Sequence, residues 1–110
     1  QELLPGYARA MMPIRAELSC GVEIAHGGAI YSLADLVLGA AANTRGQLAL
    51  AINSSISYIK PGTGAYLTAE AREVSINPRL ATYAIEVKDE NKDVIAFAQG
   101  TVYRKNKTII

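Results

Sequence analysis

From Ala29 to Asn43 the sequence reads Ala-Ile-Tyr-Ser-Leu-Ala-Asp-Leu-Val-Leu-Gly-Ala-Ala-Ala-Asn, with no proline and one late glycine; beyond Gly46 the apolar period changes to two. This single switch constrains the fold more than any other feature. The first stretch predicts one helix of about four turns, at 3.6 residues per turn. It should stop near Asn43, where Asn-Thr-Arg-Gly offers a C-terminal Asn, a cation for the helix dipole and Gly46. Leu48 to Ile59 then sets Ile52, Ser54, Ile56 and Tyr58 against Asn53, Ser55 and Ser57, until Lys60-Pro61-Gly62 breaks the run. Tyr66 to Ile76 and Leu80 to Lys88, parted by Asn77-Pro78, read as further strands. Val94 to Arg104, after the polar turn Asp89 to Asp93, reads as the last. Upstream, Tyr7 to Leu18 alternates loosely around Pro13, which fits an edge strand or one with an unpaired position. Strands joined by short turns pair antiparallel, and a helix that is apolar all round needs a sheet curling about it. The expected class is α+β.

A chain of 110 residues has room for one domain, residues 1–110. Half of it is apolar, only 19% is charged and there is no Trp. That is more apolar surface than so small a core hides, so self-association is expected. Eleven basic against ten acidic residues leave a net charge of +1, which provides no field for nucleic acid or an anionic membrane. The longest apolar stretch, Ala29 to Ala42, is interrupted by Ser32 and Asp35 and falls short of the roughly 18 residues that cross a bilayer. A lone Cys20 makes no intrachain disulfide, and no Cys/His set has metal-ligand spacing. The expectations are a cytoplasmic protein with no metal and no cofactor. Nothing near Gln1 resembles a secretion signal, and a longer native N-terminus stays open.

Between His26 and Thr44 the only carboxylate is Asp35, in the middle of the apolar helix. Asp is a poor mid-helix residue, and burying it is costly unless it is paired or protonated. Its placement points to function, with desolvation raising its basicity. Two plainer readings stand beside that one: an exposed Asp on a thin polar stripe with Tyr31 and Ser32, or a structural hydrogen bond to a neighbouring chain. His26-Gly27-Gly28 at the helix start is the second feature. Backbone amides there have no intrahelical partner, and the helix dipole favours a developing oxyanion. Gly27 and Asp35 are eight residues apart, about 12 Å along a helix axis, too far for both to act on one carbonyl. If both are catalytic, Asp35 of one copy must meet the Gly27 amide of another.

His26-Gly27-Gly28-Ala29-Ile30-Tyr31-Ser32-Leu33-Ala34-Asp35, Ala42-Asn43, Ile56-Ser57-Tyr58-Ile59-Lys60-Pro61 and Gln99-Gly100-Thr101-Val102-Tyr103-Arg104 together resemble the PaaI-type hotdog-fold acyl-CoA thioesterases. The resemblance runs from about Gly6 to Lys105. It implies a hotdog fold, an antiparallel sheet wrapped around one long central helix, in dimers that pair into tetramers. It also implies hydrolysis of an acyl-CoA thioester. The family's carboxylate falls on Asp35, as general base or as nucleophile, and its carbonyl-polarising amide falls on Gly27 from the other subunit. His26 takes a supporting role. The family's Asn, six residues before that His, is replaced here by Cys20, with Ser19 nearby as a substitute and a Cys20–His26 nucleophilic pair as a further reading. A Ser that joins the site in some relatives matches Ala51, so that role is unfilled.

For CoA the resemblance points to Gly28, to Tyr58, Lys60 and Pro61, to Arg79 and Leu80, and to Arg104. Lys60, Arg79 and Arg104 are of the type that holds phosphates, or are ordinary solvated charges. Ala29, Ala40 and Ala41 leave room for a pocket, while Tyr31 and Tyr58 either stack on an aryl group or fill the core. The alternative function is an acyl-CoA-binding or sensing domain that does not cleave its ligand. A hotdog dehydratase needs a paired Asp and His for proton transfer, which a single His26 inside the turn does not supply.

Overall fold

The computed structural model describes residues 2–13, 27–44, 46–60 and 64–108. Helix α1, Gly27–Ala42, buries Ile30, Leu33, Ala34, Val37, Leu38, Ala41 and Ala42, the three-and-four spacing that puts one stripe of a helix into a core. Strands β1 (Glu2–Leu4), β2 (Tyr7–Pro13), β3 (Gln47–Tyr58), β4 (Tyr66–Ile76), β5 (Leu80–Asp89) and β6 (Val94–Thr108) form one sheet in the order β1-β2-β4-β5-β6-β3, antiparallel throughout. One helix against one antiparallel six-stranded sheet is the hotdog architecture, with β3 at an edge.

The face of the sheet toward α1 is built from small residues: Ala8 and Ala10 on β2, Ala69 and Ala71 on β4, Ala81 on β5, Ala96 and Ala98 on β6. Larger side chains, Leu67, Tyr83, Ile85, Val87, Ile95 and Val102, fill the gaps between them. Alternation is cleanest on β5, where every second residue from Ala81 to Asp89 is buried. At Gly100 a Cβ would stand 2.5 Å from Cδ2 of the buried Leu38, so only glycine lets the helix sit this close. Asp89, the one buried charged residue among those described, closes the β5–β6 turn: its Oδ1 accepts from the amides of Asn91 and Asp93 at 2.9 and 3.0 Å.

Several boundaries differ from the sequence reading. β1 was not foreseen, and it explains Pro13. Pairing with β1 covers only Tyr7 to Arg9 of β2, so among the described residues Pro13 lies where β2 has a neighbour on the β4 side alone, the edge setting in which a strand accommodates proline. β6 continues past Arg104 to Thr108, pairing back to Gln47. The helix is not covered all round: Gly28, Tyr31, Ser32, Asp35, Leu36 and Gly39 form an exposed stripe. A sheet on one side of a helix can bury only that side. No helix among the described residues is long and apolar enough to cross a membrane.

Candidate active site

The exposed stripe of α1 and the free edge of β3 meet at one surface. Two local devices set their relation. Asn43 lies just past the helix end, donating from Nδ2 to the Gly39 carbonyl at 2.8 Å and accepting on Oδ1 from the Ala49 amide at 3.0 Å. One side chain thus caps the helix and anchors the start of β3. Further along, the β3–β6 register slips between Ala51 and Asn53, leaving Ile52 as an extra residue. Ala49 and Ala51 face the helix before the bulge; Ser54, Ile56 and Tyr58, opposite Gly100, Ala98 and Ala96, face it afterwards. Ser54 therefore turns inward, where its Oγ hydrogen-bonds the Tyr31 hydroxyl at 2.6 Å.

Tyr31 and Asp35 are one helical turn apart on the same face. Asp35 is exposed in the single chain, on a stripe with Tyr31 and Ser32, which corrects the expectation of a carboxylate desolvated within its own core. Gly27 is the first residue of α1, eight positions before Asp35, and the first turn contains no acidic side chain to occupy its amides. Beside Asp35 lies a recess of about 10 Å³ lined by Tyr31, Asp35, Ser54 and Gln99 together with Leu38 and Ile85. Among the described residues, no three His, Cys, Asp or Glu side chains come close enough to hold a metal ion.

The remaining predicted positions divide into two groups. Tyr58 ends β3 and Lys60 lies two residues beyond it; the Ile59 and Lys60 amides both donate to the Ile95 carbonyl, and Lys60 Nζ pairs with Asp93 Oδ2 at 2.9 Å. That hydrogen bond, the largest influence on it, raises the Lys60 pKa. Arg79 and Leu80 lie at the β4–β5 turn, where Asn77 Oδ1 accepts from both of their amides. Arg104 Nη1 donates to the Asn77 carbonyl at 2.7 Å, and its amide to that of Arg79 at 2.6 Å. Because Arg104 pairs with Ala49 at the opposite end of β3 from Lys60, the two cations stand roughly 35 Å apart at 3.3 Å per residue. One chain does not bring them together. Neither Tyr31 nor Tyr58 fills the core, and Ala41 is itself fully buried there, so it leaves no pocket. Cys20, His26 and Pro61, with the loop from Ser19 to Ala25, lie outside the described residues. Sequence reasoning missed the pairing of Ser54 with Tyr31 and the double role of Asn43. Alternation gave the face of Ser54, but a contact across 23 positions has no local signal.

Comparison with known proteins agrees with this geometry. Residues 23–96 match the thioesterase superfamily. A protein of Archaeoglobus fulgidus, provisionally named an esterase, is 46% identical over 107 residues, 96% of this chain and 70% of its own length. The acyl-coenzyme A thioesterase PaaI of Escherichia coli is 31% identical over 94% of this chain and 75% of its own. Among solved structures, a mutant of the phenylacetic acid degradation protein PaaI from Thermus thermophilus superposes with a TM-score of 0.86 at 40% identity, covering 94% of this chain and 90% of that one. With fold, helix motif and relatives in agreement, the chain belongs to the thioesterase superfamily, among the PaaI-type hotdog-fold acyl-CoA thioesterases.

Proposed function

We propose that residues 1–110 act as one hotdog domain hydrolysing an acyl-CoA thioester in a site shared between two copies of the chain. The observation that carries this reading is the placement of Gly27 and Asp35. They occupy one helix two turns apart, with Asp35 on a stripe the chain leaves uncovered beside an unpaired sheet edge. Leu50, Ile52, Tyr58 and Ile59 at that edge are each about half exposed or more, at 48%, 59%, 52% and 58%, and Leu36 on the helix at 52%. An open apolar edge strand is a template for a second chain.

A two-fold axis at β3 sets its end against the start of the other β3. Lys60 of one copy then approaches the partner's Arg79 and Arg104. This supports a CoA phosphate site made from both chains, although Lys60 and Arg104 have internal partners within each.

In the reaction, a water oxygen bonds to the thioester carbon while Asp35 takes the water's proton, and the carbonyl oxygen becomes an oxyanion held by the Gly27 amide of the other copy. Collapse of this intermediate breaks the C–S bond, and the departing CoA sulfur takes up a proton from the carboxyl of Asp35. The free acid and CoA result. Direct attack by Asp35 on the carbon reaches the same products through an anhydride that water then opens.

The test is thiol release from short, medium, aryl and hydroxyaryl acyl-CoAs by wild type, Asp35→Asn and Asp35→Ala. Both variants are expected to lose at least about a hundredfold in rate. Equal rates in all three proteins would overturn the hydrolytic reading, and tight binding without release in wild type would replace it with acyl-CoA sensing.

A further inference from the structure

We propose that Tyr31 and Ser54 together position the hydrolytic water beside Asp35. The inference rests on the hydrolytic reading above and assigns Asp35 the role of base. At about 10 Å³, the recess that Tyr31, Ser54 and Asp35 share is the size of a single water. Most of its lining is apolar, and its few polar atoms come from two sides, from Tyr31 and Asp35 on the helix and from Ser54 on the strand. The two hydroxyls carry two hydrogens, and the 2.6 Å bond between them uses one whichever oxygen donates. The other remains to donate outward. A water receiving that hydrogen on one lone pair and giving one of its own to the Asp35 carboxylate has its second lone pair free for a carbon. Leu38 and Ile85 offer no competing hydrogen bond, and Gln99 is the remaining polar residue of the lining.

The arrangement depends on features that are independent of one another. The helix repeat places Tyr31 one turn before Asp35, and the extra residue at Ile52 turns Ser54 toward the helix. Opposite Ser54 stands Gly100, whose lack of a side chain lets Leu38, one wall of the recess, close down on the neighbouring strand. The pair thus supplies hydroxyls near the base in a chain where Ala51 has none.

The experiment is steady-state kinetics on Ser54→Ala, Tyr31→Phe, the double variant and Ser54→Thr, with Asp35→Asn measured in parallel. Expected are a fall in kcat of about tenfold for each single removal with KM within about twofold, no further loss in the double variant, and recovery in Ser54→Thr, in keeping with one hydrogen bond worth about a decade in rate. A kcat unchanged in both single variants would overturn the proposal, as would a loss appearing mainly in KM or a Ser54→Thr as slow as Ser54→Ala. If Ser54→Ala does not fold, Tyr31→Phe, which removes a single oxygen, decides. An inactive Asp35→Asn beside a fully active Ser54→Ala overturns only the role of the pair, whereas an active Asp35→Asn overturns the reading beneath it.

Discussion

β5 and β3 have similar lengths and apolar content, yet their surroundings are opposite. β5 lies between two strands and under the helix, with every second side chain buried; β3 has one neighbour, and most of its residues on both faces are exposed. The alternation of β5 is satisfied by its own chain. That of β3 is a demand on another surface. The difference teaches that part of the exposed apolar surface is organised: Leu50, Ile52, Tyr58 and Ile59 along this edge adjoin Tyr31 and Leu36 on the helix stripe, beside the only carboxylate of α1, while Leu3, Leu4, Met11 and Val74 are exposed on other strands.

The contrast can be broken at its strong side first. Ile85→Ala removes a buried side chain from the centre of the sheet and is expected to cost about 2–5 kcal/mol in denaturant unfolding. At the edge, Ile52→Asp should leave the circular dichroism of the folded chain intact while weakening self-association on the order of a hundredfold by sedimentation, because the interface would have to bury a charge. Activity should fall with the dimer. If Ile52→Asp remained associated and active, β3 would not be the shared edge. Gly100→Ala sharpens the comparison where β6 joins both regions: its methyl meets Leu38, and a loss of about 1–3 kcal/mol in stability is expected by thermal melting. The smallest effect belongs to Lys60→Ala. An exposed cation paired to Asp93 is expected to leave unfolding almost unchanged and to raise KM for acyl-CoA only a few-fold.

What was legible in the sequence followed the same division. The extent of β4, the start of β5 and the end of α1 near Asn43 are set by local signals, and the structure has them where those signals place them. Glu2 to Leu4 was missed because three residues carry no period at all. The helix was read as covered all round because Leu36 and Tyr31 are apolar, but hydrophobicity alone does not say whether a residue is covered by its own chain or by another. The same ambiguity led to an Asp35 desolvated within the chain, whereas the side chain is exposed there. Asn43 was read as a helix stop; its second bond, to Ala49, depends on where β3 begins and so on the whole sheet.

The extra residue at Ile52 also limits how this strand can change over generations. Deleting it would join Ala51 to Asn53, whose partners Val102 and Thr101 are already consecutive on β6, so the alternation would run unbroken and Ser54, Ile56 and Tyr58 would keep the helix side. A lone insertion or deletion between Asn53 and Tyr58 instead exchanges the faces of the residues beyond it, while a change of two residues preserves them. Viable length variants of this segment should therefore come in even numbers or fall at Ile52, where one residue fewer restores the regular strand.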